Sequence, residues 1–239
     1  MPTPVHIHPT APLAPRALLP GDPGRALLLA QLLTSAPKMF NHNRGLWGYT
    51  GIAADGEPLT IQSTGIGGPS AAIVLEELCD LGLTHAIRVG TCGALAGDLA
   101  HGDLVIADSA LACDGTSRAL GADGRVAADA GLVAALRAAA GADARVGAVA
   151  TSDLFYDPDL ARTRAWIRQG AVAVEMEAAA LLRVGELRDV RVACLLAVSD
   201  VFDAARRRHR LDAQGLLQAG ELLGRVGAAA LAVGEPVER

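Results

Sequence analysis

Two carboxylates in otherwise apolar surroundings mark the stretch Val174-Glu175-Met176-Glu177 as a place where chemistry could occur. On a helix, residues i and i+2 diverge by about 200°, so both point into one cavity only if the junction is extended. The alternative is a helical first turn whose acids complement the dipole. The flanking 171–174 and 178–182 are unbroken apolar, and carboxylates in such surroundings need partners. Ser199-Asp200 closes another apolar run, and a carboxylate there is a candidate acid because burial favours its protonated form. It could equally be a helix N-cap. The nearby Arg206-Arg207-Arg208-His209-Arg210 reads as a solvated basic face or as the source of one cation for Asp200. Gly21-Asp22-Pro23-Gly24-Arg25 offers free N–H groups at a helix start, which suit an anion. Arg25 in a first turn opposes the helix dipole, a conflict that a bound phosphate would resolve; otherwise it is a solvated arginine on an ordinary turn. Arg88-Val89-Gly90-Thr91-Cys92-Gly93 ends a strand with a cation, a hydroxyl and backbone donors together, or with an arginine merely reaching solvent.

Two other segments carry weaker chemistry. Ser63-Thr64-Gly65-Ile66-Gly67-Gly68-Pro69-Ser70 is glycine-rich, but Ser70 stands at the third glycine position of a dinucleotide fingerprint and Pro69 interrupts the turn. A nicotinamide-dependent oxidoreductase would rest on this stretch alone. Phe155-Tyr156 is either a core plug or a wall for a planar ring.

Short β-like runs alternating with helical patterns must position these residues. The periodicity predicts strands at 17–19, 85–89 (ending in Gly90), 104–108, 145–150, 171–174 and 190–198, and a hairpin over 47–53 and 58–62. Helices are predicted over 25–33, 70–81, 129–140, 160–169, 175–187 and 212–233, and a surface loop over 114–124. The alternation implies an α/β fold with a largely parallel sheet covered on both faces. No composition shift or repeat divides the chain, so residues 1–239 read as one domain.

With 239 residues, 51% of them apolar, the chain can bury a substantial core. Its net charge of −5 makes it a poor electrostatic partner for nucleic acid or anionic lipid. Lys38 is the single lysine, so Schiff-base catalysis would have to rest on it. Seven aromatic residues are too few for a base-stacking platform. The four cysteines show no C-x-x-C pair, which argues against a zinc site or a disulfide framework. Residues 1–15 carry His6, His8 and five prolines and do not read as a signal peptide. The apolar run 226–233 is far below membrane-spanning length, so the expectation is a soluble, cytoplasmic protein.

Seven blocks, in order, resemble the nucleoside phosphorylase family that contains hexameric bacterial purine nucleoside phosphorylases and uridine phosphorylases. They are Leu19-Pro20-Gly21-Asp22-Pro23-Gly24-Arg25-Ala26, Asn43-Arg44-Gly45-Leu46-Trp47-Gly48-Tyr49-Thr50-Gly51, and Ser63 through Ile73 with Glu77-Leu78 following. The remaining four are Ile87-Arg88-Val89-Gly90-Thr91-Cys92-Gly93-Ala94, Ser152-Asp153-Leu154-Phe155-Tyr156, Val174-Glu175-Met176-Glu177-Ala178 and Val198-Ser199-Asp200.

The resemblance implies a mixed, mostly parallel, partly barrel-like sheet flanked by helices, and phosphorolysis of nucleosides to free base and pentose 1-phosphate. By correspondence Gly21, Arg25, Arg88 and Thr91 hold phosphate, with Arg44 arriving from a neighbouring subunit. Met176 and Glu177 grip the ribose, and His6 or His8, from a 1–15 arm, reaches the 5′-hydroxyl in the neighbour's site. Cys92, Gly93, Phe155, Val174, Glu175 and Ser199 border the base, and Asp200 donates to purine N7. Phosphate is co-substrate, no metal or organic cofactor is implied, and the assembly is a homohexamer (a trimer of dimers) with shared sites. Related purine enzymes pair the Asp with a downstream arginine; among Arg206, Arg207, Arg208 and Arg210 the favoured one is Arg208.

The uridine branch carries Gln and Arg four and six residues after its loop Phe, where this chain has Asp159 and Ala161. That favours purines. The competing readings are a methylthioadenosine or uridine phosphorylase of the same family, and a non-catalytic nucleoside-binding protein on this fold.

Overall fold

The computed structural model describes residues 4–203 and 207–232; Arg206 of the basic run and Val233 of the predicted last helix lie outside them. Along the chain run β1 (Arg16–Leu19), α1 (Pro23–Leu33), β2 (Thr34–Asn41), β3 (Gly48–Ala53), β4 (Pro58–Gln62), α2 (Gly68–Asp80) and β5 (His85–Ala94). There follow β6 (Leu104–Ala112), α3 (Gly115–Ala119), β7 (Arg125–Ala127), α4 (Ala130–Ala140), β8 (Arg145–Thr151) and α5 (Leu160–Arg168). The last elements are β9 (Ala171–Glu175), α6 (Ala178–Arg188), β10 (Arg191–Phe202), β11 (Arg208–Arg210) and α7 (Ala213–Ala232). Among the described residues no helix is long and apolar enough to cross a membrane.

The sheet is mixed and partly closed. Strand β10 pairs with both β5 and β6, β6 with β8, β8 with β9, and β9 back with β5, so five strands form a ring. Parallel ladders join β1 to β4 and β5, β5 to β10, and β8 to β6 and β9. Alternation along the strands explains the two covered faces. Ala17, Leu19, Ala86, Cys194 and Leu196 pack in one cluster with α2 and α6. Leu18, Ile87, Val89, Ala193 and Leu195, the residues between, pack in the other with α1, α4 and α7. Arg88 therefore falls on the side of α2 and α6, whose first turns lie beside Gly67 and Glu177.

Several predicted boundaries move. Strand β5 runs through Gly90-Thr91-Cys92-Gly93, which is extended backbone paired with β10 and β9 and not a turn. Strand β10 likewise continues past Val198, with a bulge before Asp200, so Asp200 lies inside a strand and caps no helix. Helix α6 begins at Ala178, because Glu175 still belongs to β9. The predicted loop 114–124 contains α3, capped by the buried Asp114, whose side chain accepts from Ser117 N at 2.7 Å. Strand β2, which periodicity did not suggest, is an edge strand interrupted at Ala36-Pro37, and Arg208–Arg210 forms β11 against β10.

Candidate active site

The strand ends and helix starts of one side surround a cleft of about 570 Å³. It is lined by Gly21, Arg25, Arg44, Arg88, Thr91, Cys92, Gly93, Phe155, Val174, Glu175, Met176, Glu177, Ser199 and Asp200, all expected from sequence. His6, expected to reach a neighbouring subunit's site, does not line it.

Its cationic wall starts at the turn after β1. Asp22 caps α1 by accepting from Arg25 N at 2.8 Å, with Pro23 in the first turn. The turn is tied to the glycine-rich segment: Thr64 N donates to Pro20 O at 2.9 Å and Gly65 N to Gly21 O at 3.0 Å. Arg25 packs against α7, where a Cβ on Gly220 would come within 3.4 Å of its Nε. Burial pulls the Arg25 guanidinium below its usual range, Asp22 opposes that, and Arg88 and Arg210 add to it. Arg25 has no ion pair among the described residues. A partly buried cation beside two others is a site that an anion would stabilise.

Arg88 is held from one side only. Its Nε donates to Glu175 Oε2 at 3.2 Å and its Nη2 to Glu177 Oε2, whereas buried Nη1 has no partner among the described residues. Nη1 lies 3.9 Å from where a Cβ on Gly21 would sit, so the free N–H edge faces the Gly21 turn. Burial lowers the guanidinium's pKa, but Glu177 and Glu175 outweigh it and hold Arg88 charged. Gly90 makes room: a Cβ there would stand 2.8 Å from Nη2 and 2.9 Å from Cζ.

The two glutamates do share one pocket, as an extended junction allows, but their roles differ. Glu177 accepts from Gly67 N at 2.6 Å and from Arg88, and borders the cleft. Glu175, expected against the base, also borders the cleft, but its side chain is 0% exposed. It accepts from Thr151 Oγ1 at 2.6 Å, from Arg88, from Glu177 N at 2.9 Å and from Ala178 N at 2.8 Å. Burial pushes its carboxyl above the usual range. Glu175 positions Arg88 and the start of α6, and what it offers the cleft is main chain.

Opposite stands Asp200. Its Oδ2 accepts from Ser199 Oγ at 2.6 Å and from Arg210 Nη1 at 2.7 Å, and its buried Oδ1 has no hydrogen-bond partner among the described residues. Two cations pair with it: Arg210 hydrogen-bonds Oδ2, and the favoured Arg208 forms a looser ion pair, its Nε 3.9 Å from Oδ1. Register explains this: Asp200 faces Arg210 across the β10–β11 ladder, and Phe202 faces Arg208. The Arg208 guanidinium stacks 4.3 Å over the Phe155 ring and donates from Nη2 to Phe155 O at 3.0 Å. Phe202 also lines the cleft and was missed, although its place two residues after Asp200 on a strand puts both on one face.

The two histidines expected to serve a neighbour's site lie on the N-terminal arm. His6 is bound to its own chain's α2, where Glu77 Oε1 lies 2.7 Å from its Nδ1 and Glu77 Oε2 accepts from His6 N at 2.9 Å. His8 is exposed, with its N donating to Asn41 Oδ1 at 2.9 Å. Neither lines this cleft. Arg44, expected from a neighbouring subunit, sits exposed at the rim of its own chain's cleft with left-handed backbone at φ 57°. Asp159 caps α5, outside the cleft. Among the described residues no group of His, Cys, Asp and Glu is arranged to hold a metal ion.

Comparison with known proteins gives a consistent set. The model of the phosphorylase superfamily matches residues 15–232. A DeoD-type purine nucleoside phosphorylase from Clostridium beijerinckii is 37% identical over 206 residues, covering 83% of this chain and 86% of that protein. One from Geobacillus kaustophilus is 38% identical over 80% of this chain and 83% of its own length. A uridine phosphorylase from Treponema pallidum is 39% identical over 82% of this chain and 80% of its own length.

Proposed function

The chain belongs to the phosphorylase superfamily, and from that premise we propose that it is a purine nucleoside phosphorylase, a pentosyltransferase. It converts a purine nucleoside and phosphate to free base and pentose 1-phosphate. The observation that carries the reading is the meeting, across one cleft, of an arginine edge and a carboxyl oxygen, Arg88 Nη1 and Asp200 Oδ1, that have no hydrogen-bond partner among the described residues.

In this reading the phosphate sits at the Gly21 turn, bound by Arg25, Arg88 Nη1 and the Thr91 hydroxyl, with Arg44 at the rim. Its charge lies beneath C1′ and stabilises an oxocarbenium-like transition state. Glu177 and Met176 hold the sugar, and a carboxylate can span two adjacent hydroxyls. The base lies against Phe155, Val174, Cys92, Gly93 and Ser199. A phosphate oxygen bonds to C1′ as the C1′–N9 pair leaves with the base, and Asp200 supplies a proton to N7. Ser199 and Arg210 fix the Asp200 carboxyl group through Oδ2 and leave Oδ1 to carry the proton.

The protein is inferred to be cytoplasmic and to work without metal or organic cofactor as a homohexamer, in which His6 reaches a neighbour's 5′-hydroxyl. The Treponema relative favours a uridine reading, but Asp159 and Ala161 stand where the pyrimidine-reading pair is expected. The test is base release from inosine, guanosine, adenosine and uridine, with and without phosphate. Purine release that needs phosphate is expected. A preference for uridine would replace this reading with the second, and tight nucleoside binding without turnover would make the chain a binding protein.

A further inference from the structure

The ribbon formed by β10 and β11 places four side chains on one face. Asp200 and Phe202 alternate on β10, Arg210 and Arg208 stand opposite them on β11, and all four line the cleft. Arg210 is committed to Asp200 Oδ2. Arg208 is not. Its Nε is 3.9 Å from Asp200 Oδ1, beyond hydrogen-bond reach, and its only hydrogen bond among the described residues goes from Nη2 to Phe155 O. Stacking on Phe155 at 4.3 Å, with Phe202 and Tyr156 rings each at 5.8 Å, fixes the plane of the guanidinium and leaves N–H groups beside that Asp200 oxygen.

We propose that Arg208 is a specificity residue for the base and selects purines with a carbonyl at C6 over those with an amino group there. The inference rests on the purine reading above. An acid at Asp200 and a cation at Arg208 present two donors side by side. A 6-oxopurine shows two acceptors on the matching edge, N7 and O6, whereas adenine shows one acceptor and an N–H₂ donor. The amino group of adenine would meet the guanidinium donor to donor. A site built to bond a substrate group discriminates strongly against an analogue that cannot use it. The Phe155 ring and carbonyl hold the planar Arg208 guanidinium in place, so the shorter, flexible ammonium of a lysine would not reproduce the effect.

The test compares kcat/KM for inosine and adenosine in the full-length protein, Arg208→Gln and Arg208→Lys. Calorimetric binding of hypoxanthine and adenine gives a readout that does not need turnover. The expected result is a wild type that favours inosine, with Arg208→Gln lowering inosine kcat/KM and hypoxanthine affinity by roughly 10- to 100-fold while adenosine and adenine change by less than about threefold. Arg208→Lys should recover only part of the loss. A parallel fall for both purines would make Arg208 a strap for Phe155 and overturn the proposal. So would no change in the ratio, or a selective loss of adenosine. A wild type that turns over uridine but neither purine would instead sink the purine reading itself.

Discussion

Arg88 has to satisfy two demands: it must neutralise Glu175 and Glu177 inside the protein and still keep one N–H edge for a ligand. The geometry meets both by spending Nε and Nη2 on the glutamates and aiming Nη1 at the Gly21 turn. Removing Arg88 would leave two buried carboxylates uncompensated, at about 3–5 kcal/mol, so folding would suffer before catalysis could be read. Gly90→Ala is the cleaner probe, since its methyl group displaces the guanidinium. It should raise the KM for phosphate by about tenfold, the order of one lost hydrogen bond to a charged group, and nucleoside KM by less, since the displaced Nη2 also holds Glu177, in steady-state titrations of each substrate. Asp200→Asn keeps the shape and removes the acid; kcat should fall by roughly 10²- to 10⁴-fold, measured as base release at saturating substrate. Arg25, Arg88, Glu175, Glu177 and Asp200 were legible in the sequence as charged side chains beside apolar runs, whereas Arg44, Met176, Cys92, Gly93 and Val174 were reached only through the family resemblance. Their connections were not. Strand parity turns the Glu175 side chain inward, and residues 87 positions apart meet only once β5 and β9 are paired.

At the scale of elements, closeness of packing decides what is held where. Helix α7 approaches α1 and the sheet through glycines: a Cβ on Gly224 would lie 2.3 Å from Leu29 Cδ2, and one on Gly227 would lie 2.9 Å from Leu18 Cδ2. Gly224→Val should cost roughly 1–3 kcal/mol by overpacking, read as a lower denaturant midpoint, and should weaken phosphate binding because α7 also seats Arg25. The N-terminal arm hangs on Glu77. Burial pushes its carboxyl up, but the N–H groups of Ile7, His6 and Val5 and the His6 ring outweigh that and hold it below the usual range. A carboxylate with a depressed folded pKa stabilises the docked arm above its ordinary value, and that contribution is lost as pH falls through the folded value. Proteolysis of the arm should therefore be unchanged from neutrality down to about pH 4.3 and rise below it, and Glu77→Gln should expose the arm already at neutral pH. The helices over 25–33, 129–140 and 160–169 were readable in advance, while their caps at Asp22, Asp129 and Asp159 emerge from the structure. Strands β2 and β11 were not: Pro37 breaks the pattern of the first, and the second is a charged run that becomes a strand only against β10.

For the whole molecule, the α/β class, the covered faces and the hairpin could be read from alternation, while ring closure could not, since it depends on β10 pairing with both β5 and β6. That closure brings Arg88 on β5 and Asp200 on β10 to one cleft. The proposed homohexamer with shared sites is tested by dilution: specific activity should fall in step with dissociation followed by light scattering, and a dissociated protomer should be nearly inactive. The central claim is that phosphate, and not water, receives the sugar. It is tested most directly by following the reaction of inosine with phosphate by phosphorus NMR. The account predicts that pentose 1-phosphate appears in equal amount to hypoxanthine, and that base release stops when phosphate is withheld. Free ribose released at the same rate with or without phosphate would mean hydrolysis and would contradict the assignment of Arg25 and Arg88 to the attacking anion.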